Sequence, residues 1–298
     1  VWRVKATPKD LLFFTKVMTM QKITAPSVGK RVRLGRILRD GKAVIFAYDH
    51  GFEHGPSEFP GERVSPRAMV KLAVEAGFDA IMTTKGVAEE TWDLWAHRVP
   101  LILKITGKTS LRPPDLQLFQ YQIGTVMDAV AMGADGVAGT VYWGAPEEEA
   151  MVERFAEMVA ECDNLGMPTM ILAYPRGPAI TDRNDAEVVA YATRASAELG
   201  VDLVKTHYTG SADSFRKVVG VSSVPILMSG GPRTGDDLSF LRDAKGVMDA
   251  GGAGVVVGRN VFQSPNFAAM AKAIIAVVHG GAEPEEALKA EFGAAGQE

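Results

Sequence analysis

Leu199-Gly200-Val201-Asp202-Leu203-Val204-Lys205 is the stretch on which the reading of the chain turns. A helix-like segment stops at a glycine, the backbone changes direction, and an apolar run begins that finishes on a lysine. Glycine suits such a stop because it adopts the left-handed conformation that closes a helix without a Cβ penalty. The same punctuation recurs at Glu75-Ala76-Gly77-Phe78-Asp79, Met132-Gly133-Ala134-Asp135, Leu165-Gly166-Met167-Pro168 and Ala250-Gly251-Gly252. Working outward from these stops places strands at 43–47, 80–83, 101–105, 136–140, 169–173, 203–205, 226–228 and 254–257. Amphipathic stretches such as 66–76, 147–165, 185–199 and 236–250 lie between them, and 266–278 and 284–292 read as terminal helices. Apolar strands alternating with crossover helices imply a parallel sheet buried on both faces, and eight of them predict an α/β fold, a (β/α)8 TIM barrel. The barrel domain is expected over 27–298, behind an N-terminal extension, 1–26, that shares none of this pattern.

Composition narrows the class of partner. A net charge of −4 gives no electrostatic reason to expect nucleic acid or an anionic membrane surface, both of which would want a basic face, so a small molecule is the expected ligand. Hydrophobic residues make up 47% of the chain, enough for a substantial core. Cys162 is the single cysteine, which rules out an intrachain disulfide and fits a reducing, cytoplasmic setting. No apolar run reaches the roughly 18 residues of a membrane helix, and the charged start 1–22 lacks the apolar centre of a secretory signal.

Barrels of this kind carry their chemistry at the carboxyl ends of the strands. Strand one ends in Tyr48-Asp49-His50-Gly51, strand three in Lys104, strand five in Tyr174-Pro175-Arg176-Gly177 and strand six in Lys205. Strands seven and eight run into Ser229-Gly230-Gly231 and Gly258-Arg259-Asn260. Glycines there let backbone N–H groups approach an anion, so these turns predict a phosphate site made by Ser229, Gly230, Gly231, Gly258 and the Arg259 guanidinium. Lys205 follows the apolar run 201–204, where a lysine is costly unless paired, neutral or functional. Desolvation and nearby cations free an amine's lone pair to attack a ketone, and the resulting iminium is the electron sink that carbon–carbon cleavage needs. By strand alternation Leu203 and Lys205 share a face, as do Leu172 and Tyr174, so lysine and tyrosine both project into the mouth. Tyr174 is placed to shuttle the proton of a substrate hydroxyl, Asp49 to hold a hydroxyl or tune Lys205, and Arg176 to take a second phosphate. The competing readings are a lysine ion-paired at the rim, and a non-catalytic barrel that binds phosphosugars.

Three motifs invite other assignments. His50-Gly51-Phe52-Glu53-His54 spells a zinc-protease pattern, but that chemistry needs both histidines on one helix face, and this run leaves a strand and meets Gly55 and Pro56. Gly107-Lys108-Thr109 resembles the end of a nucleotide-binding loop, yet Ile102 stands where its first glycine belongs. The glycines of 251–258 precede their strand instead of following it, unlike a dinucleotide fingerprint. His97 and His279 read as surface residues.

The residues gathered above resemble the archaeal-type class I fructose-bisphosphate aldolases, relatives of the deoxyribose-phosphate aldolases. The matching segments are 47–56, Leu103-Lys104 with 107–109, 174–177, Lys205 with 208–210, 229–232 and 258–261, which together span most of the barrel. The resemblance implies reversible cleavage of fructose 1,6-bisphosphate to dihydroxyacetone phosphate and glyceraldehyde 3-phosphate, with no metal and no cofactor beyond an imine on the protein. It implies Lys205 as the Schiff-base lysine, Tyr174 as proton donor and acceptor, and Asp49 as the strand-one aspartate. His50, His54, Lys104 and Arg176 fall on the substrate side, and the two glycine turns hold phosphate. A homo-oligomer, pentamers paired into a decamer, is implied as well. Leu172 departs from the tryptophan such aldolases often carry two positions before the tyrosine. Segment 203–210, with Ser214-Phe215-Arg216, also looks like sister enzymes that make 2-amino-3,7-dideoxy-D-threo-hept-6-ulosonate by a lysine-dependent transaldol exchange, and a thiolase-like phosphosugar relative is a further alternative. His54-Gly55-Pro56 and Gly107-Lys108-Thr109 favour the fructose-bisphosphate branch.

Overall fold

The computed structural model describes residues 25–233 and 235–294; residues 1–24, nearly all of the expected N-terminal extension, lie outside the described residues. Eight parallel strands close into a barrel: β1 (Ala43–Tyr48), β2 (Ala80–Thr83), β3 (Leu101–Lys104), β4 (Gly136–Trp143), β5 (Thr169–Pro175), β6 (Leu203–Thr206), β7 (Ile226–Ser229) and β8 (Gly254–Val257). Each strand pairs with the next in sequence, and β8 pairs with β1 through Ala43↔Gly254 to Phe46↔Val257. Helices such as Pro66–Ala76, Glu148–Leu165, Ala186–Glu198, Asp237–Asp249 and Phe267–Gly280 return the chain from one strand to the next or close its end. The fold is the (β/α)8 barrel expected from the alternation.

The glycine punctuation works as the sequence suggests. Gly77 and Gly166 cap their helices with φ of +83° and +64°, and Gly133, Gly200 and Gly251 share the left-handed sign. Aspartates two residues later then knit strand to strand at the amino end of the barrel. The Asp79 carboxylate accepts from Val44 N at 2.7 Å, and Asp202 accepts from Thr169 N at 2.9 Å. The helix Ala25–Ile37, absent from the expected element series, crosses this end and supplies cations to the same aspartates: Lys30 reaches Asp202 at 2.9 Å and Arg36 reaches Asp135 at 2.9 Å. His279 corrects an expectation here. It is partly buried and its Nε2 lies 2.7 Å from Asp79 Oδ2, because the helix Phe267–Gly280 ends over that aspartate.

Two strands outrun their expected ends by two or more residues. β4 and β5 stay paired through Tyr142↔Tyr174 and Trp143↔Pro175, so a two-stranded ribbon rises above the barrel on one side of the mouth. A second, antiparallel ribbon, Thr106–Gly107 with Tyr121–Gln122, rises beside it after β3. Among the described residues no helix is long and apolar enough to cross a membrane.

Candidate active site

The carboxyl ends of the strands surround a cavity of about 660 Å³, and all twelve expected site residues line it: Asp49, His50, His54, Lys104, Tyr174, Arg176, Lys205, Ser229, Gly230, Gly231, Gly258 and Arg259. Lys205 stands in register with Leu172 on β5 and Leu227 on β7 and is 6% exposed. No hydrogen bond or ion pair joins its Nζ to another described residue. Tyr174, two residues beyond Leu172, places its Oη 3.0 Å from Ser229 Oγ. The phenol therefore already touches the first residue of the glycine turn after β7.

Lys104 is held quite differently. It is 2% exposed, and its Nζ bridges Asp49 Oδ2 at 2.6 Å and Glu53 Oε1 at 2.5 Å. Burial opposes the charge, but the two carboxylates outweigh it and hold the ammonium above its ordinary value. The same attraction carries Asp49 and Glu53 below the ordinary carboxylate range in spite of their own burial. Gln120 Nε2 closes the cluster by donating to Glu53 Oε1 at 3.3 Å and to Tyr142 Oη at 2.7 Å.

The histidines divide in the same physical terms. Burial, reinforced by the Arg259 and Lys205 charges, depresses His50 to about 4 against the pull of Asp49, so it enters the site as a neutral ring. Burial also lowers His54, which sits at the rim with Nδ1 3.3 Å from Ser110 Oγ. Contrary to expectation, His50–His54 is a short helix, closed by Gly55 with φ +85°. Glu53 turns to Lys104 instead of toward the two imidazoles, and among the described residues no group of three His, Cys, Asp or Glu side chains is arranged to hold a metal ion.

The two glycine turns meet as one surface. Arg259 Nε donates to Gly231 O at 3.1 Å, and Asn260 Nδ2 donates to Gly230 O at 2.6 Å. Gly231 takes φ +64°. At Gly258 a Cβ would fall on the His50 ring and 2.7 Å from Ala47 O, so only glycine lets β1 and the β8 turn approach this closely. The guanidinium of Arg259 and the open backbone of the turns then face the cavity together, a geometry suited to a phosphate dianion.

Sequence reasoning missed Glu53, Tyr142 and His207 as members of the site. Glu53 was hidden inside the zinc-like motif. Tyr142 lay beyond the expected end of β4, and the Arg176 guanidinium carbon lies 5.0 Å from its ring centroid. The alternation that joined Leu203 to Lys205 extends to His207 and could have found it.

Fold and site together define a class, the barrel aldolases. Residues 43–264 match the DeoC/LacD family aldolase, and the chain belongs to that family; it is a lyase. It is 39% identical over 253 residues to a class 1 fructose-bisphosphate aldolase of Thermoproteus tenax, covering 84% of this chain and 94% of that protein. It is also 37% identical over 262 residues to a 2-amino-3,7-dideoxy-D-threo-hept-6-ulosonate synthase of Halobacterium salinarum, covering 87% and 95%. A solved archaeal fructose-1,6-bisphosphate aldolase, its catalytic lysine covalently bound to the carbinolamine intermediate of the substrate, matches with a TM-score of 0.78 and 36% identity over 84% of this chain and 100% of that one. The family resemblance drawn from the motifs is borne out.

Proposed function

We propose that the protein is a class I, metal-independent fructose-bisphosphate aldolase working through an imine on Lys205. The observation that carries this reading is the contrast between the two buried lysines of one cavity. Lys104 is locked as an ammonium by Asp49 and Glu53, whereas Lys205 has no ion-pair partner among the described residues. A nucleophilic amine has to surrender a proton, and of the two lysines only Lys104 is hydrogen-bonded to carboxylates.

In the cleavage direction Lys205 Nζ adds to the C2 ketone of the open-chain sugar, and loss of water leaves an iminium. The Tyr174 phenolate takes the C4 hydroxyl proton. The C3–C4 bond breaks, its electron pair entering the enamine, and glyceraldehyde 3-phosphate departs. Protonation at C3 and hydrolysis of the imine release dihydroxyacetone phosphate and restore Lys205. Ser229, Gly230, Gly231, Gly258 and Arg259 hold one phosphate, Arg176 faces the other, and the charged Lys104 with Asp49 and neutral His50 and His54 orients hydroxyls between them. The substrate class is supported by the Thermoproteus relative. A cytoplasmic setting and a homo-oligomer, a decamer by resemblance, complete the reading; solution mass measurement checks the assembly.

Borohydride reduction with dihydroxyacetone phosphate should add a stable mass to the peptide containing Lys205, and K205A should abolish both the adduct and turnover. An unmodified Lys205 would refute the mechanism. Turnover is expected to survive a chelator. Leu172 on the cavity wall and the similarity to the hept-6-ulosonate synthase keep a transaldol donor as the second reading. A panel of fructose 1,6-bisphosphate, fructose 1-phosphate and a deoxy-ketohexose phosphate donor separates the two.

A further inference from the structure

His207 stands two residues beyond Lys205 and lines the same cavity, yet the mechanism above gives it no task. Its ring lies flat against Tyr174, with centroids 4.7 Å apart and planes 26° from parallel. It makes no hydrogen bond to another described residue, and its buried Nε2 has no partner. Leaving a buried ring nitrogen unsatisfied is unfavourable, so packing against the tyrosine is what this side chain contributes. Tyr174 also meets Ser229 Oγ at 3.0 Å and the Arg176 guanidinium carbon, 5.2 Å from its ring centroid. A phenol attached through two free torsions needs a wall to keep its oxygen on one line.

We propose that His207 is a positioning residue, the aromatic plate that holds the Tyr174 phenol with its oxygen on Ser229 and in line with the substrate hydroxyl whose proton it moves. The inference rests on the aldolase reading. Chemically the ring suits the task because it stays neutral: burial, with the Arg176, Arg183 and Lys205 charges added, depresses it to about 3. It therefore neither competes for the proton nor places a second cation beside the iminium. Thr206 faces away, its hydroxyl donating to Ala173 O at 2.9 Å, whereas Lys205 and His207 on either side of it both line the cavity, ahead of Tyr208, Thr209 and Gly210.

The test uses the full chain with H207A and H207F, reading kcat, KM, the thermal midpoint and the borohydride adduct. H207A should trap the imine on Lys205 as wild type does and keep KM within about threefold. Its kcat should fall by about 10- to 100-fold, a part of the 10²–10⁴ that a placed proton-transfer group supplies. H207F keeps the plate and removes both nitrogens, so it should return kcat to within about threefold of wild type. An unchanged kcat in H207A overturns the proposal, as does an H207F as slow as H207A at an unaltered midpoint. A rise in KM at constant kcat would instead make the residue a substrate ligand and also overturn it. If H207A fails to fold, H207L, bulky but not planar, takes its place: its kcat should fall as stated for H207A, and a wild-type kcat in it overturns the proposal. Absence of the adduct in wild type is the separate failure of the aldolase reading, and it removes this inference with it.

Discussion

A single lysine swap distinguishes charge from mere bulk in this cavity. Lys104 joins Asp49 and Glu53 where water is excluded, and removing one partner of a buried ionic cluster strands the others. K104M, similar in volume, should lower unfolding free energy by about 3–5 kcal/mol at neutral pH in urea titration. E53Q keeps a hydrogen-bonding oxygen for Lys104 and should cost only about 1 kcal/mol, leaving Asp49 as its counter-ion. Equal losses in the two variants would mean that the cluster is held by packing. Catalytically, K104M must still form the imine on Lys205 if the division of labour between the lysines is right. A K104M protein that folds but no longer traps dihydroxyacetone phosphate would reverse that division.

At the scale of elements, strands and helices were legible because one residue type does one job repeatedly. A glycine with positive φ ends each punctuated helix, and a β-branched run buried on both faces follows. G133A and G166A probe that device at two strengths. Both force alanine into the left-handed region, at about 1–2 kcal/mol. An added Cβ meets nothing within 4 Å at Gly133, but at Gly166 it lies 2.7 Å from Pro26 O, where the helix Ala25–Ile37 crosses the barrel end. G166A should therefore lose roughly 1–3 kcal/mol more than G133A, as overpacking costs; equal thermal midpoints would show that the crossing helix yields freely. Contacts between distant residues were less legible. The Lys104–Glu53 pair spans 51 positions, and His279 meets Asp79 across 200, so neither follows from local spacing. Tyr142 stayed hidden for a related reason, since the continuation of β4 depends on β5 pairing with it to Pro175.

For the whole molecule, the buried mouth sets how stability responds to acid. His50 and His207 remain neutral in the native state down to about 4 and about 3, whereas in the unfolded chain they protonate near 6.5. Their contribution is therefore complete above pH 6.5 and declines as pH falls, because the unfolded chain binds protons that the native state refuses. Each should withdraw on the order of 3 kcal/mol by pH 4. Asp49 and Glu53, held below the carboxylate range chiefly by Lys104 against their burial, add stability above their unfolded values that vanishes only at still lower pH. Lys104, raised by the same carboxylates, contributes fully below its unfolded value and is lost only in strong alkali. The urea midpoint should thus be nearly level from pH 7 to 9, slope downward from about 6.5, and collapse below about 4. H207F removes one of the two imidazoles, so its slope between pH 6.5 and 4 should be shallower than that of wild type. Parallel slopes would mean that His207 takes up its proton as easily in the folded barrel as in water, and a plate that charges in mild acid could not hold the tyrosine as inferred.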